Sequence, residues 1–76
     1  MSNVFLNGNR AVKVNAAQVP WGYSDKAILY DIDGYQRWVS KRYSKFYKTG
    51  ETDKGWDKGE LLIEEWLYNK IFHDEA

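Results

Sequence analysis

The stretch that decides the fold runs from Lys26 to Val39, Lys-Ala-Ile-Leu-Tyr-Asp-Ile-Asp-Gly-Tyr-Gln-Arg-Trp-Val. Its first half is an apolar run, which predicts a strand over residues 26–31 that Ile32 extends. Asp33-Gly34 is a strong signal for a two-residue hairpin turn, because both central positions of a type I′ turn need a positive φ. Residues 35–39 then form the return strand, and the hairpin is the nucleus of an antiparallel sheet.

Side chains of the return strand alternate between two faces. Alternation places Arg37 and Val39 on one face and Trp38 and Ser40 on the other. One face must cover the core. Trp38 is the largest apolar side chain of the strand, so we expect its face to be the buried one.

A second hairpin lies near the N-terminus. Val4-Phe5-Leu6 is a short apolar run, and it is followed by Asn7-Gly8, the strongest two-residue turn signal. Residues 11–14 are the expected return strand, with a continuation toward Val19. Pro20-Trp21-Gly22 predicts a break in that strand.

The C-terminal third predicts a loop and then a helix. Residues 49–59 are polar and punctuated by glycine, and we expect Trp56 to fold back from this loop and cap the core, the alternative being an exposed binding anchor. Residues 60–72 have apolar side chains at helical spacing, with acids at the start and Lys70 and His73 at the end. The first residues, 60–62, could instead pair as a short strand.

The chain of 76 residues is long enough for a single domain covering residues 1–76. We predict an α+β fold, a small twisted antiparallel sheet of about three to five strands with one C-terminal amphipathic helix. The alternative is a partial barrel of the SH3 or OB kind, closed by the helix. With no cysteine and with four Trp, six Tyr and three Phe, we expect aromatic side chains to supply the core in place of disulfides.

Charge is uneven although the net charge is zero. Residues 35–48 hold five cations and no acid, threaded between five aromatic side chains, whereas residues 49–76 hold eight acids and three bases. Cations and aromatics in this mixture suit a surface that binds another molecule. The predicted partner-binding residues are Arg37, Lys41, Arg42, Tyr43, Lys45, Phe46, Tyr47 and Lys48. The competing interpretation is that the acidic C-terminal part neutralises this segment within the fold.

Residues 24–67 resemble a family of small prophage-encoded domains. The shared pattern is carried by Lys26-Ala27-Ile28-Leu29, Asp33-Gly34, Trp38-Val39-Ser40-Lys41-Arg42, Gly59-Glu60-Leu61 and Glu65-Trp66-Leu67. This chain departs from it at Ser40, where the family has proline, and at Arg42, where the family has serine. The resemblance contains no catalytic signature, and it implies a phage or prophage accessory protein.

Catalytic and metal chemistry find no support in the sequence. Thiolate chemistry is excluded without cysteine, and His73 is the only histidine, so we expect no metal site and no cofactor. Residues 31–34 resemble a calcium loop only faintly, because the later ligand positions do not match, and a hairpin turn is the better interpretation. The acids Glu51, Asp53, Asp57 and Glu60 are expected to form a solvated patch. We therefore predict a protein that is not an enzyme and has no small-molecule substrate.

Binding remains as the expected function. The first hypothesis is a phage factor that binds and modulates a host protein or protein–nucleic acid complex in the bacterial cytoplasm, for example in an anti-CRISPR role. The alternative is single-stranded nucleic-acid binding through residues 35–48, in which the cations neutralise phosphates and the aromatic rings stack with bases. Neither a leader of basic and apolar residues nor a run of about 20 apolar residues is present, so no membrane partner is expected.

Overall fold

The computed structural model describes residues 4–73, which form one antiparallel sheet followed by one helix. This confirms the predicted class, but the sheet has six strands rather than three to five. The elements are β1 Phe5–Leu6, β2 Asn9–Tyr23, β3 Ala27–Ile32, β4 Tyr35–Ser40, β5 Ser44–Glu51, β6 Asp57–Glu64 and α1 Glu65–His73.

Strand β2 is the spine of the sheet, whose order is β4-β3-β2-β6-β5, with β1 paired to β2. The first half of β2 pairs with β6, and the second half pairs with β3. Strands β4 and β5 are therefore the two edges. The hydroxyl of Ser44 donates to the carbonyl oxygen of Ser40 at 2.6 Å, so the two edges approach each other at one end.

Both predicted hairpin turns are confirmed by their backbone angles. Asn7 and Gly8 have φ values of 55° and 78°, and Asp33 and Gly34 have values of 53° and 85°. The Asp31 carboxylate accepts a hydrogen bond from the amide of Gly34 at 3.0 Å, which closes the second turn. Residues 31–34 are thus a hairpin turn.

The predicted break at Pro20-Trp21-Gly22 is wrong, because β2 runs through it to Tyr23. The pairing of β2 with β3 shifts between Gln18 and Tyr23, so the strand bulges where the break was expected. A bulge tolerates proline, since its residues need not donate to the neighbouring strand. The bulge bends β2 and lets one strand serve both halves of the sheet.

The predicted loop over residues 49–59 and the helix start at residue 60 are also wrong. Strands β5 and β6 occupy most of that range, and only residues 52–56 connect them. The alternative of a strand over residues 60–62 is confirmed. Three consecutive apolar residues at 61–63 fit a strand and a helix equally well, and the strand wins because β2 and β5 pair with it on both sides.

The main core cluster lies on the sheet face that the helix covers, here called the inner face, whereas Leu29 is buried on the opposite face. The buried side chains of the cluster are Ala16, Tyr30, Ile32, Val39, Leu61 and Ile63, packed against Leu67, Tyr68, Ile71 and Phe72 of α1. Val39 is 0% exposed and Trp38 is 52% exposed, so the expectation that Trp38 marks the core is wrong. Strand pairing explains this, since Val39 lies opposite Ile28 on the inner face and Trp38 lies opposite Leu29 on the other, outer face.

Glu64, the last residue of β6, is a buried carboxylate that is only 1% exposed. It accepts hydrogen bonds from the side chains of Asn7 at 2.8 Å, Asn9 at 2.9 Å and Trp66 at 2.8 Å. Three donors satisfy the charge and tie the N-terminal hairpin to the start of the helix. The hydrogen bond from Asn7 is the main cause that lowers the pKa of Glu64. Burial acts in the opposite direction, and the bonds from Trp66 and Asn9 and the charge of Arg42 lower the pKa further.

Replacing this carboxylate by an amide is expected to flatten the dependence of stability on pH. A lowered pKa in the folded state means that Glu64 stabilises the fold above the ordinary glutamate pKa of about 4.3, and that this contribution is lost as pH falls through the folded pKa. Urea unfolding of wild type and Glu64→Gln at neutral and acidic pH measures the difference. We expect the variant to be less stable at neutral pH and to lose less on acidification. Equal losses in the two proteins would contradict this role for Glu64.

Candidate functional site

The basic-aromatic segment does not form one continuous surface, and part of it faces the core. The ring of Phe46 packs on Tyr30 with centroids 5.4 Å apart. Tyr43 is half-buried, with its ring edge-to-face on Trp66 at 5.0 Å. The Arg37 guanidinium is also half-buried on the inner side and lies over the ring of Phe72 at 5.8 Å. These three predicted site residues therefore support the fold.

A second part of the segment lies on the outer face. Lys45 and Tyr47 of β5 are exposed there, with the Lys45 ammonium 5.5 Å from the Tyr47 ring centroid. Trp38 lies on the same face at the other edge of the sheet. Between the edges, the ammonium of Lys13 lies 3.7 Å from the carboxylate of Glu60. The outer face thus combines exposed rings with charges of both signs.

A third part of the segment lies in the turn between β4 and β5. Lys41 and Arg42 line a cleft of about 500 Å³ together with Asp25, Lys26 and Ser40. The Lys41 ammonium lies 3.8 Å from the centroid of the Tyr23 ring. This group is here called the basic cleft.

Lys48 is paired within the fold. Its ammonium lies 3.1 Å from the carboxylate of Asp57 and 3.7 Å from that of Glu51. The hydrogen bond and charge of Asp57, followed by those of Glu51, raise the pKa of Lys48. At Lys48 the acidic C-terminal part neutralises a cation of the segment, as the competing interpretation expected, and the Arg42 charge likewise acts on Glu64. Lys41 and Lys45 instead lie over aromatic rings.

None of the four tryptophans of the chain is buried. Trp21, Trp38 and Trp66 are between 47% and 70% exposed, and Trp56 is half-buried. The core is built from aliphatic side chains and Tyr30. The expectation that large aromatic side chains supply the core is therefore wrong for every tryptophan, and their surface area is available to another molecule.

Trp56 packs on Trp21, edge-to-face with ring centroids 5.2 Å apart. It does not belong to the core cluster, so the expectation that it caps the core is not met. The Lys54 ammonium lies 4.6 Å from the centroid of the Trp56 ring. Beside this pair is a shallow groove of about 310 Å³ lined in part by Asp31, Thr52 and Asp53. Sequence reasoning placed Trp21 in a break and missed the pair, which joins residues 35 positions apart.

Lys26 and Tyr23 were also missed, although the sequence contained a signal for Lys26. A two-residue turn at Asp33-Gly34 fixes the pairing of β3 with β4, and counting outward from it places Lys26 opposite Lys41. The structure shows this pairing, since the amide of Lys41 donates to the carbonyl oxygen of Lys26 at 2.9 Å.

Within residues 4–73, no group of three His, Cys, Asp or Glu side chains is placed to hold a metal ion. The side chain of His73 lies outside the described residues. The helix in the described part of the chain lacks the length and apolarity needed to cross a membrane.

Comparison of the chain with protein-family models, curated proteins and solved structures finds no match in any of the three.

Proposed function

We propose that this chain is a non-catalytic binding protein that uses its outer face to hold another protein. The observation that carries this proposal is the exposure of the rings of Trp38 and Tyr47 on the outer face, in a chain whose four tryptophans are all outside the core. Burying a large aromatic side chain removes about 150–250 Å² from water, which a chain of this size needs for stability. Rings that could stabilise the core but lie on the surface therefore indicate a role in binding. Exposed apolar patches of this kind are typical of interaction sites.

A protein partner fits the outer face better than a nucleic acid does. Trp38 and Tyr47 are of the residue types that dominate protein–protein interfaces. The face carries Lys13 and Glu60 as a close pair between them, and a face with both signs of charge fixes the orientation of a protein partner. A nucleic-acid surface usually shows a net basic charge, and this chain has none.

The resemblance to prophage-encoded domains supports a more specific proposal. A small phage-derived binding protein acts in the cytoplasm of its bacterial host, where the partner is a host protein or a protein–nucleic acid complex. Modulating or inhibiting a defence system, as an anti-CRISPR protein does, is one such role. This step rests on the resemblance, and the geometry of the outer face supports only the binding.

Single-stranded nucleic-acid binding is the second candidate, and it is favoured by cations that lie beside exposed rings. Lys41 lies over Tyr23, and Lys45 lies over Tyr47. Against it, Phe46 and Tyr43 pack within the fold, which interrupts the predicted track of rings. A labelled oligonucleotide that shows no binding at low salt would remove this candidate, because phosphate contacts are strongest there.

Capture from a bacterial host lysate tests the protein-binding proposal. We expect the tagged chain to retain one host protein, and Trp38→Ala to release it, because loss of an aromatic residue that anchors an interface costs about 2 kcal/mol or more of binding. Lys45→Glu should weaken retention as well. Arg37 is a poor choice for this test, since its guanidinium lies over Phe72 of the helix and its loss would disturb the fold.

Phe5→Ala is the matched control, because Phe5 is about as exposed as Trp38 but lies on β1, away from the outer-face residues Trp38, Lys45 and Tyr47. Its retention should equal that of wild type. Retention unchanged in Trp38→Ala, or lost equally in Phe5→Ala, would count against the outer face as the binding surface.

A further inference from the structure

The basic cleft lies where two turns of the chain are held together. The turn from β2 to β3 carries Asp25 and Lys26, and the turn from β4 to β5 carries Lys41 and Arg42. The amide of Lys41 donates to the carbonyl oxygen of Lys26 at 2.9 Å, which joins the two turns directly. Cations from segments distant in sequence are thereby brought to one cleft.

Hydrogen bonds hold each turn in place. The Ser24 hydroxyl accepts from the amide of Ala27 at 3.0 Å and donates to its carbonyl oxygen at 3.1 Å, and this closes the first turn. In the second turn, the carbonyl oxygen of Arg42 accepts from the side chain of Asn7 at 3.0 Å. A site whose backbone is already ordered pays less entropy when it binds a ligand.

The charge of the cleft suits a phosphate monoester. Three cations, Lys26, Lys41 and Arg42, stand against one carboxylate, Asp25. Arg42 also offsets part of the charge of the Glu64 carboxylate, so the excess in the cleft is below two positive charges. This excess still complements a phosphate monoester, which carries about −1.5 to −2 at neutral pH. The guanidinium of arginine can bind phosphate oxygens in pairs, and lysine supplies point charges beside it. A ligand with a single carboxylate would leave part of the positive charge of the cleft unneutralised.

Tyr23 adds a flat apolar surface at the margin of the cleft. Its ring is 70% exposed, and the Lys41 ammonium, which lines the cleft, lies over one face of the ring at 3.8 Å from its centroid, so a base would stack on the opposite face. An aromatic ring beside a phosphate site is the arrangement on which a nucleobase stacks. Inorganic phosphate and phosphoserine carry no aromatic base that could stack on this ring.

We propose that the basic cleft binds a nucleotide, with the phosphate monoester among Lys26, Lys41 and Arg42 and the base on the ring of Tyr23. This binding does not rest on the protein partner proposed above, because Lys26 and Tyr23 are not among the outer-face residues Trp38, Lys45 and Tyr47. A chain that failed to capture any protein could still bind a nucleotide here.

Titration of the isotope-labelled full-length chain, followed by backbone amide shifts at low salt, tests the proposal. The probes are adenosine 5′-monophosphate, adenosine, inorganic phosphate and a phosphoserine peptide. We expect the monophosphate to shift the amides of residues 24–27 and 40–43 and to bind more tightly than the other three probes.

Two variants assign the contacts. Lys26→Ala removes an exposed side chain and keeps the carbonyl that Lys41 needs, and it should weaken monophosphate binding about tenfold or more. Tyr23→Ala should reduce the affinity for the monophosphate to that for inorganic phosphate. Lys54→Ala is the control, since Lys54 lies over Trp56 outside the cleft, and it should change nothing.

Three results would overturn the proposal. Absence of shifts with every phosphate probe would show that the cleft is not a phosphate site. Equal affinity for inorganic phosphate and the monophosphate would remove the base contact and with it the nucleotide. Tighter binding of the phosphoserine peptide would make the cleft a protein-recognition site instead.

Discussion

Replacing Gly59 by alanine is expected to lower the thermal unfolding midpoint by roughly 12 °C or more. Gly59 is buried in β6, between β2 and β5. A Cβ at this position would collide with the carbonyl oxygen of Tyr47 and would lie 2.8 Å from the Cα of Lys48. These are backbone atoms of a paired strand and cannot rotate away, so the sheet must separate locally. Overpacking of this kind costs about 3 kcal/mol, and each kcal/mol is about 4–8 °C in a domain of this size.

Gly50→Ala is the matched control for this prediction. Gly50 lies on the neighbouring strand β5, but the nearest atom to an added Cβ is the side-chain Cε of Lys58 at 3.4 Å. The flexible lysine can move aside, so we expect a small change in midpoint. Calorimetry of the two variants beside wild type makes the comparison. Similar midpoints for Gly59→Ala and wild type would show that β5 and β6 do not approach as closely as described.

Leu61→Ala is expected to have the second largest effect, a loss of about 2–5 kcal/mol in the free energy of unfolding. Leu61 is 0% exposed and is part of the core cluster on the inner face. It lies opposite Val14 on one side and Phe46 on the other, in the middle of the sheet. Truncation removes buried methyl groups and leaves a cavity that paired strands cannot close.

The adjacent residue provides the control. Leu62 is half-buried on the outer face, opposite Lys13 and Lys45. We expect Leu62→Ala to cost well under half as much as Leu61→Ala, as measured by urea unfolding. If the two variants lost equal stability, or if Leu62→Ala lost more, the assignment of inner and outer faces in β6 would be wrong. A helix beginning at residue 60 would not show this contrast between neighbours.

Local turn chemistry made part of the fold predictable. Asn7-Gly8 and Asp33-Gly34 need positive φ at both positions, and few other dipeptides tolerate it. From the second turn follow the β3–β4 hairpin and its pairing, including Lys26 opposite Lys41. These features depend on residues close in sequence, so the sequence alone was sufficient.

Features that depend on distant partners were not predictable. The aromatic and basic alternation of residues 44–48 indicated a binding segment, and only the pairing with β6 shows that it is strand β5. Trp38 was expected in the core because of its size. The side chain on the inner face is instead that of Val39, which packs in the core cluster under the helix. Size alone does not say which face of a strand another element will cover.

The candidate site was predictable as a composition but not as a geometry. The segment 35–48 contains the outer-face residues Trp38, Lys45 and Tyr47 and three of the five residues that line the basic cleft. Other members of the segment pack within the fold, as Phe46 does on Tyr30. Lys26, Tyr23 and Trp21 lie on the surface outside this segment, and the register shift of β2 between Gln18 and Tyr23 includes the last two of them.

The affinity of the captured host protein for outer-face variants tests the central claim most directly. Isothermal titration calorimetry with the purified partner compares wild type, the double variant Trp38→Ala with Tyr47→Ala, and the control Phe5→Ala. We expect the double variant to bind about thirtyfold or more weakly, which corresponds to about 2 kcal/mol, with its unfolding midpoint kept near that of wild type. An affinity of the double variant equal to that of wild type would contradict the claim that the exposed rings of the outer face hold the partner.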